Sequence, residues 1–153
     1  FKFNGEEYML PALPSALDGR PLVAIETRTG PRWPLKHWPG YPGLTGLLKR
    51  NEVDFFILRQ RKRLRDYIAD INRCTLLVSG DTLAMHIALA LRKRAAIIFN
   101  CTSPWEIYDY GRLRKLAHPK LHDFFYSTRA FNEDFKSISV QTVFKAVMES
   151  LSY

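Results

Sequence analysis

The sequence predicts an α/β fold, a Rossmann-like three-layer αβα arrangement around a parallel sheet. Three observations carry that expectation. Short apolar runs of strand length recur between residues 22 and 99, segments of helical length and periodicity separate them, and glycines, prolines and polar residues punctuate the joints. The order strand, helix, strand, helix, strand, helix, strand through Phe99 calls for right-handed βαβ crossovers, which cover a parallel sheet with helices on both faces. In such a sheet, ligands bind beyond the carboxyl ends of the strands.

The elements follow in order. Residues 1–20 carry Gly5, Pro11, Pro14 and Gly19 among scattered apolar residues, the pattern of an extended lead-in or interdomain linker ahead of a domain over 21–153. Leu22-Val-Ala-Ile25 reads as a first buried strand. Residues 27–43, with four prolines and three glycines, read as a long connecting loop of the kind that holds ligands. A helix over 44–50 and a strand over 53–58 come next. Over 64–72, Leu64, Tyr67, Ile68 and Ile71 fall at i, i+3, i+4 and i+7, the stripe of an amphipathic helix. Residues 75–78 read as a buried strand broken by Gly80. Residues 83–91 read as a helix that Ala84, Met85, Ile87, Ala88, Leu89 and Leu91 bury on most sides. Beyond Pro104 an aromatic-rich segment (Tyr108, Tyr110, Phe124, Phe125, Tyr126, Phe131) holds one short helix from Pro119, and a final helix over 140–151 takes Ser139 as its cap. No internal repeat is visible.

At 153 residues the chain can bury one core, since a domain of this size removes about two-thirds of its unfolded surface from water. Its 46% hydrophobic content is that of a globular protein. No apolar run approaches the ~20 residues of a membrane helix. The start at Phe1 has no signal-peptide pattern and, lacking Met, reads as a processed chain or an excised piece. Lysine and arginine number 23 against 15 acidic residues, a net charge of +8, which points to polyanionic partners: phosphates, nucleic acid or anionic lipid headgroups. Arg59, Arg61, Lys62, Arg63 and Arg65 form the densest cluster, and residues 92–94 and 112–115 two more. Solvated element ends account for them, and so does a surface for anionic lipid or a phosphorylated acceptor. No stacked-aromatic RNA motif or helix-turn-helix pattern is present, so no specific nucleic acid is expected. Cys74 and Cys101 are too few and too far apart for a paired-thiolate zinc site, and read as buried small hydrophobes in a reducing compartment. His118 and His122 have i, i+4 spacing, yet a helix starting at Pro119 leaves His118 outside it, with Asp123 the sole further ligand at hand. No metal site is expected.

The clearest chemistry lies in Val78-Ser-Gly-Asp-Thr-Leu-Ala-Met-His86. Asp81 and Thr82 fall at a strand-to-helix turn, where the first backbone N–H groups of the helix lack internal partners and the helix dipole is positive. A phosphate is stabilised there, and the Thr82 hydroxyl adds a donor. His86, four positions on, shares the helix face with Thr82 and can reach the same ligand. Each residue has a plainer explanation. Asp81 can cap the helix, His86 can be a satisfied core histidine, and Lys36, His37 and Trp38 can form a surface loop pinned by its tryptophan.

Asp81-Thr82-x-x-Met85-His86, the apolar strand before it and Ile97-Ile-Phe-Asn-Cys-Thr-Ser-Pro104 after it resemble the signature of the family 9 glycosyltransferases, the ADP-heptose:lipopolysaccharide heptosyltransferases. Lys36-His-Trp-Pro39 is similar to the family's Lys-x-Trp-Pro motif, and Ile138-Ser-x-x-x-Val143 with its closing helix resembles the family's C-terminus. The likeness covers residues 20–151 and corresponds to the C-terminal, donor-binding half of a GT-B type enzyme.

That resemblance implies a domain over 21–153 that binds a nucleoside diphosphate sugar, ADP-heptose-like, for transfer to lipopolysaccharide or a related glycan acceptor. By the same resemblance Lys36 stabilises the leaving diphosphate, an electrostatic contact worth ~3 kcal/mol in a preorganised site. Thr82 and the N–H groups of Leu83 and Ala84 add donors, Asp81 accepts from sugar hydroxyls, and Thr27 or Thr29 touches phosphate. No cofactor or metal is implied, because a lysine and a helix start can replace one. The catalytic base belongs to an N-terminal acceptor domain, so this chain is not expected to be active alone. The implied location is cytoplasmic, peripheral at the inner face of the plasma membrane, where an anionic surface is a further partner. The family has Gly directly after Asp-Thr, where Leu83 stands here. The stretch between Lys36 and Asp81 is shorter by about one βα unit, and residues 59–65 offer no match for the family's acidic ribose contact. The alternative is a non-catalytic basic binding module, for anionic lipid or nucleic acid, on a degenerate glycosyltransferase fold.

Overall fold

A computed structural model describes residues 19–128 and 137–152. Residues 1–18 of the expected lead-in and Phe131 of the aromatic segment lie outside the described residues.

Five strands form one parallel sheet: β1 (Leu22–Ile25), β2 (Asp54–Ile57), β3 (Leu76–Gly80), β4 (Arg94–Phe99) and β5 (Leu113–Ala117), in the order β2-β1-β3-β4-β5. The α/β expectation with a parallel, helix-covered sheet holds. The four α-helices among the described residues are α1 (Tyr41–Arg50), α2 (Leu64–Asn72), α3 (Leu83–Ala90) and α4 (Val140–Leu151). Alternation along each strand decides which face each residue serves. Val23, Ile25, Leu76, Val78, Ala96 and Ile98 pack against Leu44 and Leu48 of α1 and Val143 and Val147 of α4. Ala24, Leu77, Ala95, Ile97 and Phe99 pack on the other face against Ile71 of α2 and Ala84, Met85 and Ala88 of α3. Both faces being covered, β3 is buried along its whole length, which is why Leu76, Leu77 and Val78 are apolar without alternation.

Several boundaries differ from the sequence expectation. Helix α1 begins at Tyr41, a turn earlier than 44, because Pro42 sits in its first turn, where a missing N–H costs nothing. Gly80 does not break β3: it is the last residue of the strand and pairs with Ile98. Strand β5 falls within what the sequence presents as a basic cluster followed by aromatic loop, since its residues LRKLA are only half buried. The short helix expected from Pro119 is a 3-10 turn over Leu121–Phe124. Helix α2 has the expected span, yet Leu64 at the head of its stripe is 58% exposed. At the last helix, the Ser139 hydroxyl accepts the Thr142 N–H at 3.1 Å, the cap its position implies. Cys74 and Cys101 are both buried and unpaired. Among the described residues no helix is long and apolar enough to cross a membrane.

Candidate functional site

The chain leaves β1 outward to β2 and then returns past β1 to β3, so the connections after β1 and β3 part in opposite directions. A crevice opens where they part, at the carboxyl ends of these two strands. Glu26 extends β1 by one more ladder bond, its N–H donating to the Val78 carbonyl at 2.9 Å. Asp81 and Thr82 leave β3, and Thr82 stands at the N-cap position of α3.

An open cavity of about 500 Å³ fills this crevice. Its walls are the segment after β1 (Glu26, Arg28, Thr29, Gly30), the start of α3 (Thr82, Leu83, Ala84) and the β2 side (Gln60, Arg61, Leu64, Tyr67). The floor is a polar network. Glu26, 3% exposed, accepts from the Arg28 backbone N–H and Nε at 2.9 Å each, from Arg28 Nη2 at 2.7 Å and from the Tyr67 hydroxyl. Four donors thus satisfy both oxygens of a buried carboxylate. It raises the Arg28 pKa through their hydrogen bond, and burial together with Glu26 pushes the Tyr67 phenol up as well. At the outer wall Arg61 forks onto Asp70 at 2.6 and 2.9 Å, which holds that carboxyl below its ordinary range. Leu64 and Leu83, each 58% exposed, give the cavity apolar lips.

Lys36 stands beside this cavity and is not among its lining residues. Two anchors place it: Leu35 packs on Cys101 below the loop, and Trp38, fully buried, donates its indole N–H to the Ile138 carbonyl at 2.8 Å. Trp38 therefore belongs to the core and pins the loop that carries Lys36. Gly40 follows because a Cβ there would lie 2.1 Å from the Trp38 ring. From this loop the Lys36 ammonium donates to the Asp81 carbonyl at 3.0 Å and sits 3.6 Å from the Asp81 carboxylate.

The structure thus brings Lys36, Asp81, Thr82, Leu83 and Thr29 to one rim. Thr27 is absent from the cavity lining, its carbonyl lying 3.2 Å from His37 Nδ1, and Thr29 is the threonine of that loop that lines the cavity. His86 does not share the cavity: it is exposed on α3 and absent from the lining, because one turn along the helix carries it out of the crevice. It is not a core histidine either. Asp81 does not cap α3, and the Thr82 hydroxyl meets Ser79 Oγ at 2.9 Å in place of a backbone N–H. Sequence reasoning missed Glu26, Arg28 and Tyr67. The Glu26-x-Arg28 pair at a strand's carboxyl end was the available signal. Among the described residues no group of three or more His, Cys, Asp or Glu side chains is placed to hold a metal ion. His118 Nδ1 accepts the Lys120 N–H at 3.0 Å and His122 stacks on Trp105.

No protein-family model and no curated protein matches the chain. Among solved structures it is similar to the crystal structure of the glycosyl transferase family 9 from Veillonella parvula DSM 2008, with a TM-score of 0.63 and 16% identity over 90% of this chain. The chain shares its fold with that glycosyl transferase. It covers 48% of that protein, so it spans about half the length of this relative. Within this fold, the cavity and the Lys36–Asp81 pair lie at the switch point of the doubly wound sheet.

Proposed function

We propose that the chain is the nucleotide-sugar donor half of a glycosyltransferase, binding an ADP-heptose-like donor for transfer to lipopolysaccharide or a related glycan. One observation carries the reading: the cavity at the β1/β3 switch point is walled by the first turn of α3 and flanked by the Lys36–Asp81 pair. The fold shared with a family 9 glycosyl transferase supports it.

In this reading the nucleoside enters the cavity from the β2 side, between Leu64 and Leu83, and the diphosphate meets Thr82, Thr29 and the N–H groups of Leu83 and Ala84. The sugar lies toward Asp81, whose carboxylate accepts from its hydroxyls. Transfer breaks the bond from the anomeric carbon to the diphosphate oxygen and forms one to the acceptor oxygen. Lys36 stabilises the charge that builds on the departing diphosphate. The acceptor proton goes to a base supplied by a second, acceptor-binding domain, with the assembly acting at the cytoplasmic face of a membrane. No metal enters, since the helix start and the cations carry the charge stabilisation.

Thermal unfolding of the chain with ADP, UDP, GDP and their sugars tests this. A bound nucleotide at a hundredfold excess over its dissociation constant stabilises by ~3 kcal/mol, and Lys36→Ala should weaken the effect. No protection by any nucleoside diphosphate counts against the reading. Steeply salt-dependent binding to generic polyanions, lost when residues 59–65 are neutralised, would favour the basic binding module instead.

A further inference from the structure

We propose that Arg28 is the cation that grips the diphosphate inside the cavity, with Glu26 and Tyr67 as positioning residues that hold it there. This rests on the donor-site reading and adds a second cation, inside the cavity, to Lys36, which stands at the rim against Asp81.

Arg28 spends Nε and Nη2 on the two oxygens of Glu26 and its guanidinium also reaches the Tyr67 hydroxyl, so in a planar group of five donors Nη1 stays outside the Glu26 contacts. Its guanidinium carbon lies 5.9 Å from the centre of the Tyr67 ring, close enough for a cation–π contact. The side chain is 42% exposed and lines the same cavity as Thr82, Leu83 and Ala84. A guanidinium fixed on two sides has already lost most of its rotamer freedom, so a ligand meets a preorganised fork. Glu26 cannot itself take a ligand hydroxyl on equal terms, because four donors already occupy it. The inner cavity is accordingly a donor surface facing the helix start, matched to an acceptor-rich anion such as a diphosphate.

The assay is calorimetric binding of inorganic pyrophosphate and of ADP to the whole chain at two salt concentrations. Arg28→Gln should weaken both ligands by roughly tenfold or more and flatten their salt dependence. Arg28→Lys should recover only part of the loss, because an ammonium cannot fork onto Glu26 and the ligand together. Tyr67→Phe should weaken binding a fewfold and keep the wild-type salt slope, as expected of a residue that acts through Arg28. Removing Arg28 leaves Glu26 a buried anion short of partners, so the paired variant E26Q/R28Q keeps the test open if the single variant does not fold. A wild-type chain that binds ADP, with Arg28→Gln or the paired variant within twofold of it, overturns the assignment and spares the donor site. A wild-type chain that binds neither ligand removes the donor site itself and this assignment with it.

Discussion

The ammonium of Lys36 lies 3.0 Å from the backbone carbonyl of Asp81 and 3.6 Å from its carboxylate, across 45 positions of sequence. This contact ties the loop after β1 to the turn after β3 over the mouth of the crevice. The two side chains keep 19% and 17% of their surface exposed, so the pair is shielded from water without being sealed off. Lys36→Ala should lower stability by about 1 kcal/mol, as expected for a partly screened charged hydrogen bond. It should weaken binding of a nucleotide sugar more than binding of the free nucleoside. Urea unfolding and calorimetry measure the two effects, and equal loss for sugar nucleotide and nucleoside would contradict the placement of Lys36 at the diphosphate.

The loop that carries Lys36 depends on Trp38. Trp38→Phe keeps the apolar bulk and deletes the indole donor to the Ile138 carbonyl, so stability should fall by about 1–3 kcal/mol. Trp38→Ala should cost about 3–5 kcal/mol through the cavity it leaves. Gly40→Ala should also destabilise, because the added methyl would lie 2.1 Å from the ring. Urea midpoints give all three, and a neutral Gly40→Ala would show that the ring is free to shift.

Burial pushes the Cys74 and Cys101 thiols up to about 11. Both should resist an aromatic disulfide reagent at pH 8 in the folded chain and react when urea unfolds it. Their folded pKa values exceed the unfolded value of about 8.5. The stability they contribute is therefore fully present below pH 8.5 and is lost as pH rises toward 11. Fast labelling of either thiol at pH 8 without unfolding would contradict its burial.

Ser139→Ala removes the acceptor for the Thr142 N–H and should cost about 1 kcal/mol. Ser139→Asp should hold or improve stability, since a carboxylate caps equally well and suits the positive helix end. Thermal midpoints decide, and a silent Ser139→Ala would mean that solvent replaces the cap without loss.

How much of this was legible in sequence follows from where each residue's constraint originates. Leu22–Ile25, α2, α3 and α4 are set by local apolar pattern, breakers and a cap, and these survive in one dimension. Strand β5 was not legible because Leu113, Leu116 and the cations between them make an edge strand whose identity comes from pairing with β4. The meeting of Lys36 with Asp81 was foreshadowed by the motifs that contain them, while the network of Glu26, Arg28 and Tyr67 was not. Glu26 and Tyr67 are 41 positions apart, and nothing near either announces that a carboxylate will be buried under a phenol. Leu64 and His86 failed for the same reason: periodicity names a helix face, and only the packing says whether that face meets the core, the cavity or water.

In the proposed reading a nucleoside diphosphate sits at the start of α3 in the β1/β3 crevice. Amide chemical shifts of the isotope-labelled chain, followed during titration with ADP, test it most directly. Saturable shifts are expected at Thr29, Thr82, Leu83 and Ala84, with the Arg28 side-chain Nε–H moving alongside them. Shifts confined to the basic stretch 59–65, or none at all at millimolar ADP, would contradict it.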